Sequence, residues 1–306
     1  MRYDILVDNM LLNIYKKTSS VLCGYGLRKI SIISFVRNFI VRNLRSNCVI
    51  INGHNMFLDK LDSLQLLVND VYEPVETKLI KTIIKKNDIV LDVGSHVGYY
   101  TLLLSDLVGV NGKVFAFEPE FSNFNLLKKN LNINQCKNVV VENKAVSVYT
   151  GKSRLYLCKD NSGMHRLNQS KYCKDFIDTN VIGLDDYFVG NPLIDKIRFV
   201  KIDVEGSEFD VLNGMKLILE KNTDIIILME FIVDNLVEHG SIPIDILLFL
   251  SNYGFKLYIF IEDGFVKEIS EHDFKNMNCY DGKSLLCVKS NIIVSQTAQQ
   301  MVLDNG

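Results

Sequence analysis

The chain has almost no net charge: 36 Asp and Glu against 34 Lys and Arg leave its 306 residues at −2. No overall field therefore favours nucleic acid, and none is expected as a partner. It also lacks any C-x-x-C pair. Cys23, Cys48, Cys136, Cys158, Cys173, Cys279 and Cys287 are scattered and odd in number, which favours buried thiols in a reducing, cytoplasmic setting over a disulfide or zinc framework. No apolar run approaches the ~20 residues of a membrane-spanning helix. Asp4 and Asp8 interrupt the first apolar residues, and no small-residue cleavage site follows, which argues against a secretory leader.

One shortage is local. Asp and Glu are missing between Asn9 and Leu58, where Lys16, Lys17, Arg28, Lys29, Arg37, Arg42 and Arg45 fall. Apolar Ile32, Ile33, Val36, Phe39, Ile40 and Leu44 share one side of a helix expected from Ile30 to Arg45, opposite Ser31, Ser34, Asn38, Arg42 and Arg45. Such a helix packs on the main domain, or offers peripheral contact with an anionic membrane through residues 1–47. Asn52-Gly53 then predicts a small hairpin over Val49–Leu58. The expected division is a helical and hairpin extension over 1–70, a main domain over 71–290 and a polar tail over 291–306.

What is present centres on Asp88 to Thr101, which reads as strand, tight turn and helix. Gly94 and Gly98 follow a buried apolar run ending near Asp92, and a glycine lets backbone approach a ligand closely. A dinucleotide fingerprint needs G-x-G-x-x-G. Here the middle glycine is missing and His96 takes its place. Lys113–Phe117 is a second strand that delivers Glu118-Pro119, and an acid there can hold both hydroxyls of a ribose. Adenosine without a pyrophosphate fits this combination best. A nicotinamide-dependent oxidoreductase is the first alternative, and a non-catalytic cofactor-binding scaffold the second.

Further strands are expected at Val139–Val141, Ser153–Leu157, Ile197–Ile202, Ile225–Met229, Phe255–Ile261 and Ser284–Val288. Helices are expected from Pro74 to about Lys85, from a Ser122 cap to about Leu131, along Val211, Met215 and Ile218, and from Pro243 to Leu250. Their alternation predicts an α/β fold with a doubly wound, mostly parallel sheet. Ligands bind at the carboxyl ends of such strands. Asp92, Gly94, Ser95, His96, Gly98, Glu118, Asn143, Lys144, Asp203, Glu205 and Glu230 should meet there, and their negative charge favours a cationic ligand such as a sulfonium. Asn143, Lys144 and Ala145 belong to the turn expected beside the adenine.

Asp203 and Glu205 both leave the fourth core strand, and Glu205 is placed either to take a proton from a substrate hydroxyl or to cap the next helix. His165, in the polar loop from Lys159 to Lys174, is a second candidate base if that loop covers the pocket, with Arg166 as a substrate anchor. Asp203, Glu205 and Glu230 offer oxygen ligands, but nothing in their spacing fixes three at once, and no metal is assigned.

Tyr72-Glu73-Pro74, Asp88 to Thr101, Phe117-Glu118-Pro119, Leu184-Asp185-Asp186 and Lys201 to Glu208 together resemble the FkbM family of S-adenosylmethionine-dependent methyltransferases, over about Val71 to Val288. His96 stands where the family more often has Asn. The resemblance implies a seven-stranded Rossmann-like sheet with its last strand antiparallel, and S-adenosylmethionine as cofactor. Asp92, Gly94 and Gly98 would border the methionine part, Glu118 the ribose, and Asp203 with Glu205 the reactive methyl. Glu73, Ser95, His96, Pro119, Asn143, Lys144 and Ala145 complete the implied cofactor shell. The implied acceptor is a hydroxyl on a sugar, glycan or other small natural product.

Overall fold

The computed structural model describes residues 48–67, 69, 71–159, 161–171, 173–260, 266–270, 273 and 283–289. The helix expected within residues 1–47 and the polar tail lie outside the described residues. The first described element is the expected hairpin, β1 (Val49–Ile51) against β2 (His54–Met56), with Asn52 and Gly53 both at positive φ. Pro74 opens α1 (Pro74–Ile83), which stops two residues short of Lys85. The Lys85 amide instead takes the Asp88 carboxylate, and Asn87 turns left-handed to start the next strand.

That strand is β3 (Ile89–Val93), followed by α2 (Tyr99–Val108), β4 (Lys113–Phe117), α3 (Phe121–Ile133) and β5 (Val139–Glu142). Helix α3 is capped by Glu120 rather than Ser122: extended backbone after Pro119 lets the Glu120 carboxylate reach the Asn123 amide at 2.7 Å. After β6 (Ala145–Val146), β7 (Gly151–Cys158), β8 (Cys173–Ile182) and α4 (Leu184–Tyr187) come β9 (Ile197–Ile202), α5 (Glu208–Asn213) and α6 (Lys216–Lys221). The single helix expected after Glu205 is two, broken at Gly214. A Cβ there would lie 2.2 Å from the Ser147 carbonyl oxygen, and Asp185 caps α6 through the Leu217 and Ile218 amides. The chain continues through β10 (Ile226–Phe231), α7 (Val233–His239), α8 (Pro243–Asn252), β11 (Lys256–Phe260), β12 (Val266–Ile269) and β13 (Lys283–Val288).

The main sheet runs β12-β11-β13-β10-β9-β3-β4-β5. From β11 to β5 it is the expected seven-stranded, mostly parallel arrangement, with β13 antiparallel to both neighbours. The eighth strand, β12, pairs along the outer side of β11; with four residues and Lys267-Glu268 at its centre, it has no readable apolar pattern. Of a separate small sheet, β6-β8-β7, the sequence pattern marks only the β7 part. Strand β8 hides because Lys174, Asp175, Phe176, Asp178 and Asn180 are all exposed, so no clean alternation marks it.

Alternate residues of each central strand feed different layers, as a sheet covered on both faces requires. Leu91, Phe115, Val200 and Ile227 pack with Val211, Ile218 and Leu247 on one side. Val90, Val114, Phe199 and Leu228 pack with Leu79, Leu102 and Leu127 on the other. The hairpin and the residue after it are tied to the second layer by side chains of α3 and its C-cap: the cap, Asn134, accepts from the Asn55 amide and donates to its carbonyl. Fully buried Asn130 of α3 accepts from the Phe57 amide at 2.7 Å and donates to the carbonyls of Phe57 at 3.0 Å and Val97 at 2.8 Å. Asn130→Ala strands those three backbone groups and is expected to destabilise the protein by about 2–3 kcal/mol. Urea denaturation against the unaltered protein measures this.

Candidate functional site

The chain leaves β3 toward β4 and β5 on one side, and later resumes at β9 and β10 on the other. A crevice therefore opens between the carboxyl ends of β3 and β9. Gly94 makes this possible. Its φ is +87°, and a Cβ there would lie 1.8 Å from the Asp203 carbonyl oxygen, so only glycine lets the two strand ends close on each other. The space beside Gly98 is filled as well: its missing Cβ accommodates Leu127 of α3. That glycine makes room for helix packing.

A cavity over these strand ends is lined by Gly94, His96, Glu118, Pro119, Lys144, Ala145, His165, Arg166, Asp203, Glu205 and Glu230, among others. Glu118 is the pivot. Its carboxylate accepts from the His96 amide and the Glu120 amide, both at 2.9 Å, so the acid after β4 is fastened directly to the glycine bend. The four remaining expected cofactor residues stand behind the cavity wall. Asp92 accepts from Thr101, Ser95 donates to the Asp92 carbonyl, Glu73 accepts from Tyr100 at 2.6 Å, and Asn143 braces the 118–119 turn through both its carbonyls.

The wall is rich in acids. Carboxylate oxygens of Asp203, Glu205 and Glu230 lie within 4.8 Å of one another, a grouping the sequence spacing did not fix, and Glu230 Oε2 is buried without a hydrogen bond. Two cations answer them. Lys201 Nζ donates to Asp203 at 2.8 Å, and Arg166 reaches Glu205 at 3.5 Å and Glu238 at 3.2 Å, while Asn235 donates to Glu205 at 2.9 Å. Burial works against the Lys201 ammonium, yet Asp203 and Glu73 hold its pKa above the ordinary lysine value. Burial raises Glu118 to about 8, and burial with the neighbouring Asp203 charge raises Glu205 to about 8. Glu230 is pushed up by burial first, then by Asp203 and Glu205. Lys201, Asn235 and Glu238 had no role in the sequence reading; Lys201 sits within a motif, but the other two are on α7 and carry no local signal.

The polar loop does reach the cavity. His165 and Arg166 line it, and the Tyr156–Arg166 backbone pairing ties the loop to β7. His165 Nδ1 accepts from the Cys158 amide at 3.0 Å, which leaves the ring proton on Nε2, and burial lowers the pKa of the ring. The loop is closed at its base by a disulfide between Cys158 and Cys173, which face each other at the ends of β7 and β8. This corrects the expectation of thiols throughout: β8, which carries Cys173, was not recognised, so nothing in the sequence reading set the two cysteines opposite one another. A non-reduced digest should yield the cross-linked peptides containing Cys158 and Cys173.

A doubly wound sheet with an antiparallel strand between its last two parallel ones, and an acid-lined crevice at its switch point, is the framework of a Rossmann-like methyltransferase domain. The family described as "Methyltransferase FkbM domain" matches residues 92–257, more than half of the chain, and the chain belongs to it. It is 24% identical over 147 residues to "Methyltransferase 1" of Beauveria bassiana (strain ARSEF 2860), spanning 42% of this chain and 59% of that protein, less than two thirds of the relative's length. Similar solved structures include methyltransferase FkbM from Methylobacillus flagellatus KT (17% identity, TM-score 0.38, 66% of this chain and 43% of that one). Another is described as "a putative methyltransferase from streptococcus mutans in complex with SAH" (14% identity, TM-score 0.42, 71% of this chain and 97% of that one).

The raised carboxyls give a signed pH dependence. A group whose folded pKa lies above its unfolded value, here about 8 for Glu118 and Glu205 against 4.5, contributes stability below 4.5 and loses it as pH rises through 8. Glu208, raised to about 7 by burial, adds to this. The unliganded protein is therefore expected to melt at lower temperature at about pH 9 than at about pH 6 in calorimetry. Glu118→Gln should flatten that slope.

Proposed function

We propose that this chain transfers the methyl group of S-adenosylmethionine to a hydroxyl on a sugar, glycan or other small natural-product acceptor. The observation that carries the cofactor reading is the pairing of Glu118 with the glycine bend, inside a cavity with an excess of acids. Two backbone N–H groups engage the Glu118 carboxylate, which leaves lone pairs for the two hydroxyls of a ribose. The lining cations are engaged, Lys144 with Glu142 at 2.9 Å and Arg166 with Glu205 and Glu238, so a pyrophosphate would meet no unpaired positive charge among the residues described. A sulfonium, by contrast, suits Asp203, Glu205 and Glu230.

S-adenosylmethionine, when bound, supplies a methyl already activated by its positive sulfur. The protein's task is alignment and removal of one proton. Lys201 pins Asp203 at the end of β9. Arg166 and Asn235 hold the Glu205 carboxylate, and Glu205 itself sits at φ 55°, followed by Gly206 at φ 108°, a sharp exit from the strand that turns its side chain into the cavity wall. Glu205 is the better base of the two candidates. His165 already spends its Nδ1 lone pair on the Cys158 amide and presents a donor, suited to orienting an acceptor oxygen rather than deprotonating it.

Location and partners are part of the same proposal: an enzyme whose basic residues 1–47 touch anionic membranes, the Cys158–Cys173 disulfide weighing against the reducing cytoplasm expected from the cysteine pattern. No helix among the described residues is long and apolar enough to cross a membrane. Co-sedimentation with anionic liposomes, with and without residues 1–47, tests the contact; equal binding by both would remove it.

Calorimetry should give heat with S-adenosylhomocysteine and none with NAD, and Glu118→Ala should abolish that heat. In assays of labelled methyl transfer to a glycan panel, Glu205→Gln should lower kcat by about a hundred- to ten-thousandfold. Because the base works unprotonated, kcat of the unaltered enzyme at saturating cofactor and acceptor should rise with pH, with an apparent pKa at or below about 8, since a bound sulfonium favours the carboxylate. Glu205→Gln should remove that limb of the profile.

A further inference from the structure

A hydrogen-bonded chain outside the roles assigned so far runs from Asp59 to His96. Ser63 Oγ donates to Asp59 Oδ2 at 2.7 Å, Ser162 Oγ lies 3.1 Å from Ser63 Oγ, and His96 Nε2 lies 2.8 Å from Ser162 Oγ. It joins three distant segments: the stretch after β2, the turn after β3, and the loop between β7 and β8. The backbone fixes both ends. The Ser63 amide donates to Asp59 Oδ1 at 2.9 Å, the Ser162 amide donates to Ser63 Oγ at 3.0 Å, and the His96 amide donates to Glu118.

The direction of every proton in this chain follows from counting. A serine hydroxyl has one proton. Ser63 gives its proton to the Asp59 carboxylate, so the Ser162–Ser63 contact must be donated by Ser162. Ser162 has then spent its own, so it can only accept from the imidazole. The proton of the neutral His96 ring therefore sits on Nε2. Nδ1 is left as a bare lone pair; it is buried, has no hydrogen-bond partner, and belongs to a side chain only 8% exposed in the wall of the cavity. Burial lowers the His96 pKa, consistent with a neutral ring, although Asp59, Asp203 and Glu120 pull the other way.

We propose that Asp59, Ser63 and Ser162 are positioning residues that set the tautomer of His96, reserving its Nδ1 lone pair for an ammonium or hydroxyl donor of the bound S-adenosyl cofactor. The ligand half rests on the cofactor reading above; the tautomer half does not. It gives His96 a definite acceptor role. It also makes the loop between β7 and β8 part of cofactor binding, since Ser162 belongs to that loop and contacts both Ser63 and His96.

The test uses the full chain with 15N-labelled histidine, the His96 signals being assigned by their loss in His96→Gln. Long-range 1H–15N spectra of the unliganded protein should show one tautomer, protonated at Nε2, and saturating S-adenosylhomocysteine should shift the Nδ1 resonance. Ser162→Ala should give a mixture of tautomers and about tenfold weaker S-adenosylhomocysteine binding, the equivalent of one lost hydrogen bond. Ser162→Thr, which keeps the hydroxyl, should restore both. An Nδ1–H ring, an Nδ1 resonance unmoved by ligand, or Ser162→Ala with an unchanged tautomer and affinity would each overturn the proposal. If the unaltered protein failed to bind S-adenosylhomocysteine, the cofactor reading would fall and the ligand half with it, while the spectrum of the unliganded protein would still decide the tautomer.

Discussion

The contact on which the rest depends is the one between Gly94 and the Asp203 carbonyl, where β3 and β9 meet. The Asp203 amide donates to the Val93 carbonyl at 3.0 Å, continuing the parallel ladder past the end of β3, and the absence of a side chain on Gly94 lets the next residue bend away. From that point the bend carries His96 to Glu118 on one flank, and β9 delivers Asp203 and Glu205 on the other. Move the two strand ends apart by the width of a methyl group, and Glu118 no longer faces a common space with Asp203 and Glu205.

That closeness concentrates negative charge under low dielectric, and the two buried cations determine how it is distributed. Lys201 sits beside Asp203, with its ammonium 4.6 Å from the centre of the Tyr100 ring, and Arg166 is shared among Glu205, Glu238 and Asn235. Glu230 receives neither, and its Oε2 has no donor. The site is incomplete in the electrostatic sense. Protonation relieves the cost of burial and the repulsion between the acids, which is why the pKa values of Glu205 and Glu230 stand above the ordinary carboxylate range.

Legibility followed the strength of local pattern. Strands β3, β4 and β9 are buried on both faces and read as apolar runs, and the turn residues Asn52-Gly53 and Gly94/Gly98 punctuate them, so the central sheet and the glycine bend were readable. Strand β8 was not, since its exposed Lys174, Asp175 and Asp178 make it resemble a loop; the partner of Cys158 and the small second sheet were lost with it. Gly214 looked like an ordinary interior residue of one helix, because the obstacle that breaks the helix there, the Ser147 carbonyl, comes from far away in the chain. In the site, acids at strand ends were found by position, whereas Asn235, Glu238, Ser63 and Ser162 act through contacts made only in three dimensions. Leu127, for which Gly98 leaves room, likewise comes from a helix distant in the chain.

The placement of β13 bears on how the protein is made. It fills the slot between β10 and β11, yet in chain order it follows both, and also β12. During synthesis the parallel strands and their helices emerge first, while β10 and β11 each keep an unpaired edge facing a vacant lane. Leu285, Leu286, Cys287 and Val288 complete that lane from a late part of the chain. Until they arrive, two sticky strand edges stand open to other chains. A ribosome that stalls before this segment would therefore release a polypeptide prone to aggregate, even though nearly all of its cofactor cavity had already been translated.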